Sequence, residues 1–112
     1  MMMLQSMKPD LVLIDDDPLI HKAWDLDAKR LGKTLLCFYS LEDFLKSSCP
    51  KDVPIYVDCF VGKTKAVQQV NVILDRGYCK ITLVSSLPSL VRKIYGSESL
   101  EISNKEFPDL DL

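Results

Sequence analysis

Short apolar runs alternate along this chain with stretches whose apolar residues recur at helical spacing. Leu11-Val12-Leu13-Ile14 contains no polar residue, the pattern of a strand buried on both faces. Asp17 followed by Pro18 marks a helix start, an N-cap acceptor and then proline at the first helical position. Ile20, Ala23, Trp24 and Leu31 continue at near-helical spacing as far as Gly32, a suitable stop. The stretch from Thr34 to Tyr39 predicts a second strand. Ser40, with an acid three residues later at Asp43, predicts a short helix that ends before Cys49-Pro50. Val53-Pro54-Ile55-Tyr56-Val57 predicts a third strand, and Val61-Gly62-Lys63-Thr64 a turn. Ala66, Val67, Val70, Ile73 and Leu74 make an apolar helical stripe ending at Gly77. Lys80 to Val84 reads as a fourth buried strand closing on Ser85-Ser86. Pro88 to Tyr95 holds a short helix stopped by Gly96, and Leu100 to Ser103 is a weak fifth strand leading into Asn104-Lys105.

Strands alternating with helices imply right-handed βαβ units and a parallel sheet. The expected fold class is α/β, a flavodoxin-like three-layer sandwich with five parallel strands in the order 2-1-3-4-5. That order sets the first and third strands side by side, with their carboxyl ends on one rim.

The rim would be acidic. Asp15, Asp16 and Asp17 directly follow the first apolar run, and Asp58 ends the third. Adjacent carboxylates repel one another, so a fold keeps them together only where a positive group offsets them or where they reach solvent. Two strand ends offering carboxylates on one sheet edge suit a hard divalent cation such as Mg²⁺. Asp17, just before Pro18, is expected to cap the helix. His21 is expected on an exposed helix face, and Trp24 in the core.

Composition narrows the setting. A chain of 112 residues, 47% of them apolar, is sized for one domain with one core. A net charge of −2, with 14 scattered basic residues, provides no stripe for nucleic acid. No apolar stretch is long enough to span a bilayer, and the run from Met1 to Met7 lacks the charged start and apolar segment of a signal peptide. A cytoplasmic protein, or part of one, is expected. Cys37, Cys49, Cys59 and Cys79 contain no C-x-x-C pair, and free thiols packed as small apolar groups are expected.

With those residues in place, the chain resembles the receiver domain of bacterial two-component response regulators. The resemblance rests on the acids after strand one, Asp58 after strand three, Ser85 after strand four and Lys105 after strand five. It runs from Leu11 to Lys105, and implies a receiver-like domain over residues 8–107 with tails at 1–7 and 108–112. By resemblance, Asp58 is the phosphoacceptor, taking a phosphoryl group from a phosphohistidine on a sensor histidine kinase or phosphotransfer protein. Asp15, Asp16 and Asp58 hold Mg²⁺, and the backbone carbonyl of Phe60 completes the metal site. Ser85 bonds a phosphoryl oxygen, and Lys105 pairs with Asp58. Any catalysis is limited to self-phosphorylation and autodephosphorylation at an aspartate. No nucleic acid or membrane is a direct partner.

Departures from the family pattern are also legible. The loop Cys59-Phe60-Val61-Gly62-Lys63 is shorter than usual and lacks the usual proline. Ile102 stands where an aromatic switch residue is usual, and Lys105-Glu106-Phe107-Pro108 replaces a lysine-proline pair. The Lys-Glu-x-Pro ending is similar to short receiver-like domains at the C-terminus of some sensor kinases. Seven residues after Lys105 are too few for a stable fifth helix. The face so exposed is expected to meet a second copy or a larger protein. The alternative function is a degenerate pseudo-receiver that docks without being phosphorylated. A flavin-binding protein shares the topology, but three acids after strand one would repel a flavin phosphate.

Overall fold

The computed structural model describes residues 8–58, 66–95 and 101–108. The Val61–Thr64 turn, Cys59, the Phe60 carbonyl, Gly96, Leu100, the 1–7 tail and all of the 108–112 tail but Pro108 lie outside the described residues. The elements are β1 (Leu11–Ile14), α1 (Pro18–Arg30), β2 (Leu35–Phe38), α2 (Leu41–Leu45), β3 (Ile55–Asp58), α3 (Ala66–Asp75), β4 (Ile81–Val84), α4 (Pro88–Tyr95) and β5 (Glu101–Ser103). The strands form one sheet in the order β2-β1-β3-β4-β5, every pairing parallel. This is the expected order.

Local signals set the helix ends. The Asp17 side chain accepts the Leu19 amide at 2.9 Å, so Asp17 is the N-cap of α1. At the other end Gly32 takes a φ of 69°. The Lys33 amide bonds the Ala28 carbonyl, and the Gly32 amide that of Lys29. This double closure is a Schellman motif, and it needs a residue that tolerates left-handed backbone. Ser40 caps α2 by accepting the Asp43 amide at 3.1 Å.

β2 and β4 are each slightly shorter than expected, at Leu35–Phe38 and Ile81–Val84, and the larger difference is at β3. β3 starts at Ile55 rather than Val53, and it includes Asp58, which pairs with Val84. Pro54 has no N–H to give the ladder, and the Val53 amide is spent on the Pro50 carbonyl in a turn. Val53 is apolar because it is buried in the core, not because it belongs to the strand.

Alternation along β1 divides the interior between the two faces of the sheet. Val12 and Ile14 face the larger core with Phe44 of α2, Val70 and Ile73 of α3, and Val91 of α4. Leu11 and Leu13 face Trp24 of α1, with Ile20, Leu35, Tyr56 and Phe107 packed around them. All four residues of β1 are fully buried, the behaviour of a central strand covered on both sides.

Candidate functional site

Register brings the polar strand ends level. Ile14 pairs with Val57, so Asp15 falls beside Asp58; Asp58 pairs with Val84, and Val84 with Ser103. Asp15, Asp58, Ser85 and the segment carrying Lys105 therefore share the carboxyl rim of a parallel sheet, where open α/β sheets bind ligands.

The carboxylates meet there. Single oxygens of Asp15, Asp16 and Asp58 lie within 4.8 Å of one another. Asp15 is fully buried, Asp58 nearly so, and Asp16 is exposed. Lys105 Nζ lies 2.6 Å from Asp58 Oδ1 and 3.0 Å from Asp15 Oδ2, one ammonium shared by two acids. Asp15 Oδ1 accepts the Asp17 amide at 2.9 Å, which fixes the carboxylate plane. Partial burial by itself would lower the Lys105 pKa. The hydrogen bonds to Asp58 and Asp15, joined by their charges, more than offset it, so the net shift is upward.

Ser85 is buried at the same rim, its amide bonded to the Ser103 carbonyl at 3.0 Å. Its Oγ accepts the Leu87 amide at 3.0 Å. A hydroxyl that accepts one bond still has a proton to donate. Asp16, Asp58, Ser85 and Lys105 line a cavity of about 380 Å³ together with Leu87 and Leu90, both exposed. The opening can admit a small anion to the Asp58 carboxylate, with a cation on one side and a hydroxyl on another.

A hard oxygen-rich donor set with two or three carboxylates fits Mg²⁺. Lys105 bonds Asp15 Oδ2 and Asp58 Oδ1, and the Asp17 amide bonds Asp15 Oδ1. The expected fourth ligand, the Phe60 carbonyl, lies outside the described residues.

His21 is not on an exposed face as expected; it is buried. Its Nε2 lies 2.5 Å from the Asp15 carbonyl oxygen, and its ring stacks on Tyr39 at 4.1 Å. A carbonyl only accepts, so Nε2 carries the proton. The bond satisfies a main-chain oxygen at the strand end that the ladder does not serve. Trp24 is core, as expected, but also polar in action: its indole N–H donates to the Lys105 carbonyl at 2.9 Å. His21, Trp24 and Ala28 are the buried residues of α1, and their spacing does put them on one helix face. Pattern shows that face, but not that two of its members serve the site.

Cys37, on β2, flanks this region. Burial, with the negative charges of Asp25 and Asp15, pushes its thiol up to about 11. Cys37, Cys49 and Cys79 are free thiols, as expected, but Cys79 is exposed rather than packed as an apolar group.

Comparison with protein-family models finds no match, and comparison with curated proteins finds none either. Among solved structures the chain is similar to a response regulator receiver protein from Pseudoalteromonas atlantica. The TM-score is 0.65 at 20% identity, over 88% of this chain and 85% of that one. Strand order and superposition agree: the chain has the fold of a response-regulator receiver domain.

Proposed function

We propose that the chain is a receiver domain that accepts a phosphoryl group on Asp58 from a phosphohistidine of a sensor histidine kinase or phosphotransfer protein. The observation that carries this reading is the shared ammonium of Lys105, held against Asp58 and Asp15 at the sheet's carboxyl rim. In the transfer a carboxylate oxygen of Asp58 bonds to phosphorus while the phosphorus–nitrogen bond to the donor imidazole breaks. The electron pair of that bond leaves with the imidazole nitrogen. Water later cleaves the acyl phosphate, releasing inorganic phosphate and restoring the carboxylate.

Phosphoryl transfer depends mainly on positioning and on neutralising charge at the equatorial oxygens. Lys105 holds Asp58 in place and offsets charge on the incoming group. Ser85 donates its hydroxyl proton to a phosphoryl oxygen from the cavity wall. Asp15, Asp16, Asp58 and the Phe60 carbonyl are the groups that would hold Mg²⁺, which supplies charge neutralisation on the phosphoryl oxygens when bound. The protein works in the cytoplasm in this reading, with protein partners and no direct nucleic-acid contact.

Incubation of the protein with acetyl phosphate and Mg²⁺, followed by intact mass measurement, tests the proposal. One added phosphoryl group, absent from Asp58→Asn, is expected. A folded protein with no mass gain would instead make the chain a docking module, the reading that Ile102 at the switch position favours.

A further inference from the structure

Beyond Ser103 the chain leaves the sheet, yet Lys105 must hold its ammonium between two carboxylates. Local bonds stiffen this segment from within: the Glu106 amide bonds Asn104 Oδ1 at 3.0 Å. They do not fix it to the rest of the fold. Trp24 of α1 does so in two ways. Its indole N–H donates to the Lys105 carbonyl at 2.9 Å, and its ring meets Phe107 edge-on at 5.4 Å between centroids. The same ring meets Tyr56 of β3 at 5.5 Å, and the side chain is 1% exposed. Three residues earlier on the same helix face, His21 holds the carbonyl of Asp15. Asp15 and Lys105 in turn meet through their side chains at 3.0 Å. Helix α1 thus grips both halves of one ion pair by their backbones.

We propose that Trp24 is a positioning residue for Lys105: its indole N–H fixes the Lys105 backbone so that the ammonium reaches Asp58 and Asp15 together. The proposal rests on the phosphoacceptor reading for its catalytic consequence, but not for its geometry. Indole burial alone would need only a large ring at this position. The N–H contact needs tryptophan, since phenylalanine keeps the ring contacts and loses the donor. A lysine stem has four rotatable carbons, so a loosened backbone lets the ammonium drift from the acids. Misplacement of about 1 Å at a reacting centre can cost as much as 10²-fold in rate.

A double-mutant cycle separates positioning from mere support. Wild type, Trp24→Phe, Lys105→Ala and the double variant are compared for initial rate of phosphorylation by acetyl phosphate and for Mg²⁺ half-saturation. Trp24→Phe is expected to slow phosphorylation about tenfold, with Mg²⁺ half-saturation unchanged. In the Lys105→Ala background the same change should have no further effect. Independent losses that multiply in the double variant, or a wild-type rate in Trp24→Phe, would overturn the proposal.

A second measurement does not depend on phosphorylation. Reductive methylation with formaldehyde and cyanoborohydride, mapped by peptide mass, should modify Lys105 several-fold more slowly than the exposed Lys80. Trp24→Phe should narrow that gap, and an unchanged gap overturns the tether. If wild type gains no phosphoryl group but the gap narrows, the phosphoacceptor reading fails and the tether stands. Should Trp24→Phe not fold, NMR of the wild type decides. Coupling across the hydrogen bond from the indole nitrogen to the Lys105 carbonyl carbon supports the tether, and its absence overturns it.

Discussion

Lys105 Nζ lies 2.6 Å from Asp58 Oδ1, closer than its 3.0 Å approach to Asp15 Oδ2. The more exposed carboxylate takes the shorter bond. Asp15, with no accessible surface, divides its oxygens between the ammonium and the Asp17 amide. Among the described residues one ammonium bridges these two acids in a partly dry setting, and Asp16 adds a third carboxylate at the rim. This sharing of one ammonium has measurable effects.

Lys105→Ala should destabilise the protein by about 3 kcal/mol at pH 7, because loss of one partner leaves buried charge uncompensated. Millimolar Mg²⁺ should restore part of the loss by replacing the cation. Urea unfolding at pH 7, with and without Mg²⁺, reads both effects. Equal stability of variant and wild type at pH 7 would show the pair to be of no energetic weight.

Asp16→Asn removes an exposed member of the cluster. Mg²⁺ should bind it more weakly, yet its melting temperature without metal should equal or exceed that of wild type, since repulsion is relieved. Wild type should gain about 1.4 kcal/mol at roughly ten times the Mg²⁺ dissociation constant. Thermal melts across a Mg²⁺ titration provide the comparison. A wild-type melting temperature that ignores Mg²⁺ would argue against a metal site.

Alkali should weaken the Lys105 contribution in a defined window. Folding raises the pKa of this amine, so folding and protonation favour each other. The stabilisation is complete below the ordinary lysine value of about 10.4 and is lost as pH climbs through the raised folded value. Cys37 and Tyr56 have raised values too, but they titrate in wild type and in Lys105→Met alike. The difference between the two unfolding free energies should stay flat to about pH 10 and shrink above it. A difference that already collapses between pH 7 and 9 would refute the assignment.

Cys37 should resist alkylation. With its pKa pushed to about 11, little thiolate exists at pH 8. Exposed Cys79 should react with iodoacetamide well before Cys37, and buried Cys49 should also lag. Peptide mapping over a time course gives the order. Equal rates at Cys37 and Cys79 would contradict the burial seen for β2.

The alternation of strands and helices was legible because each element carries its own signal. Asp17-Pro18 begins α1, Gly32 ends it, and the all-apolar β1 announces a covered sheet. The rim residues Asp15, Asp58, Ser85 and Lys105 were legible because each stands at or just beyond the carboxyl end of a strand in a parallel sheet, and such positions converge. The start of β3 was not, since Val53 is as apolar in a buried turn as it would be in a strand. Nor was the role of His21. Helical spacing can say which face looks inward, but the Asp15 carbonyl it meets is fixed by the packing of α1 against the sheet. Trp24 was rightly expected in the core, while its hydrogen bond reaches across 81 positions of sequence that no local pattern spans.

The position of β5 at the outer edge of the sheet sets an order of events during synthesis. The ribosome makes the three acids of the rim, and the strands that gather them, before it makes their cation. A nascent chain that has completed β3 brings Asp15 and Asp58 together without Lys105 between them. Ser85 follows β4 and Lys105 lies beyond β5, so both reach the rim from strands made later. The ammonium that joins Asp15 to Asp58 is thus supplied from beyond the sheet's edge strand, after every strand that carries an acid.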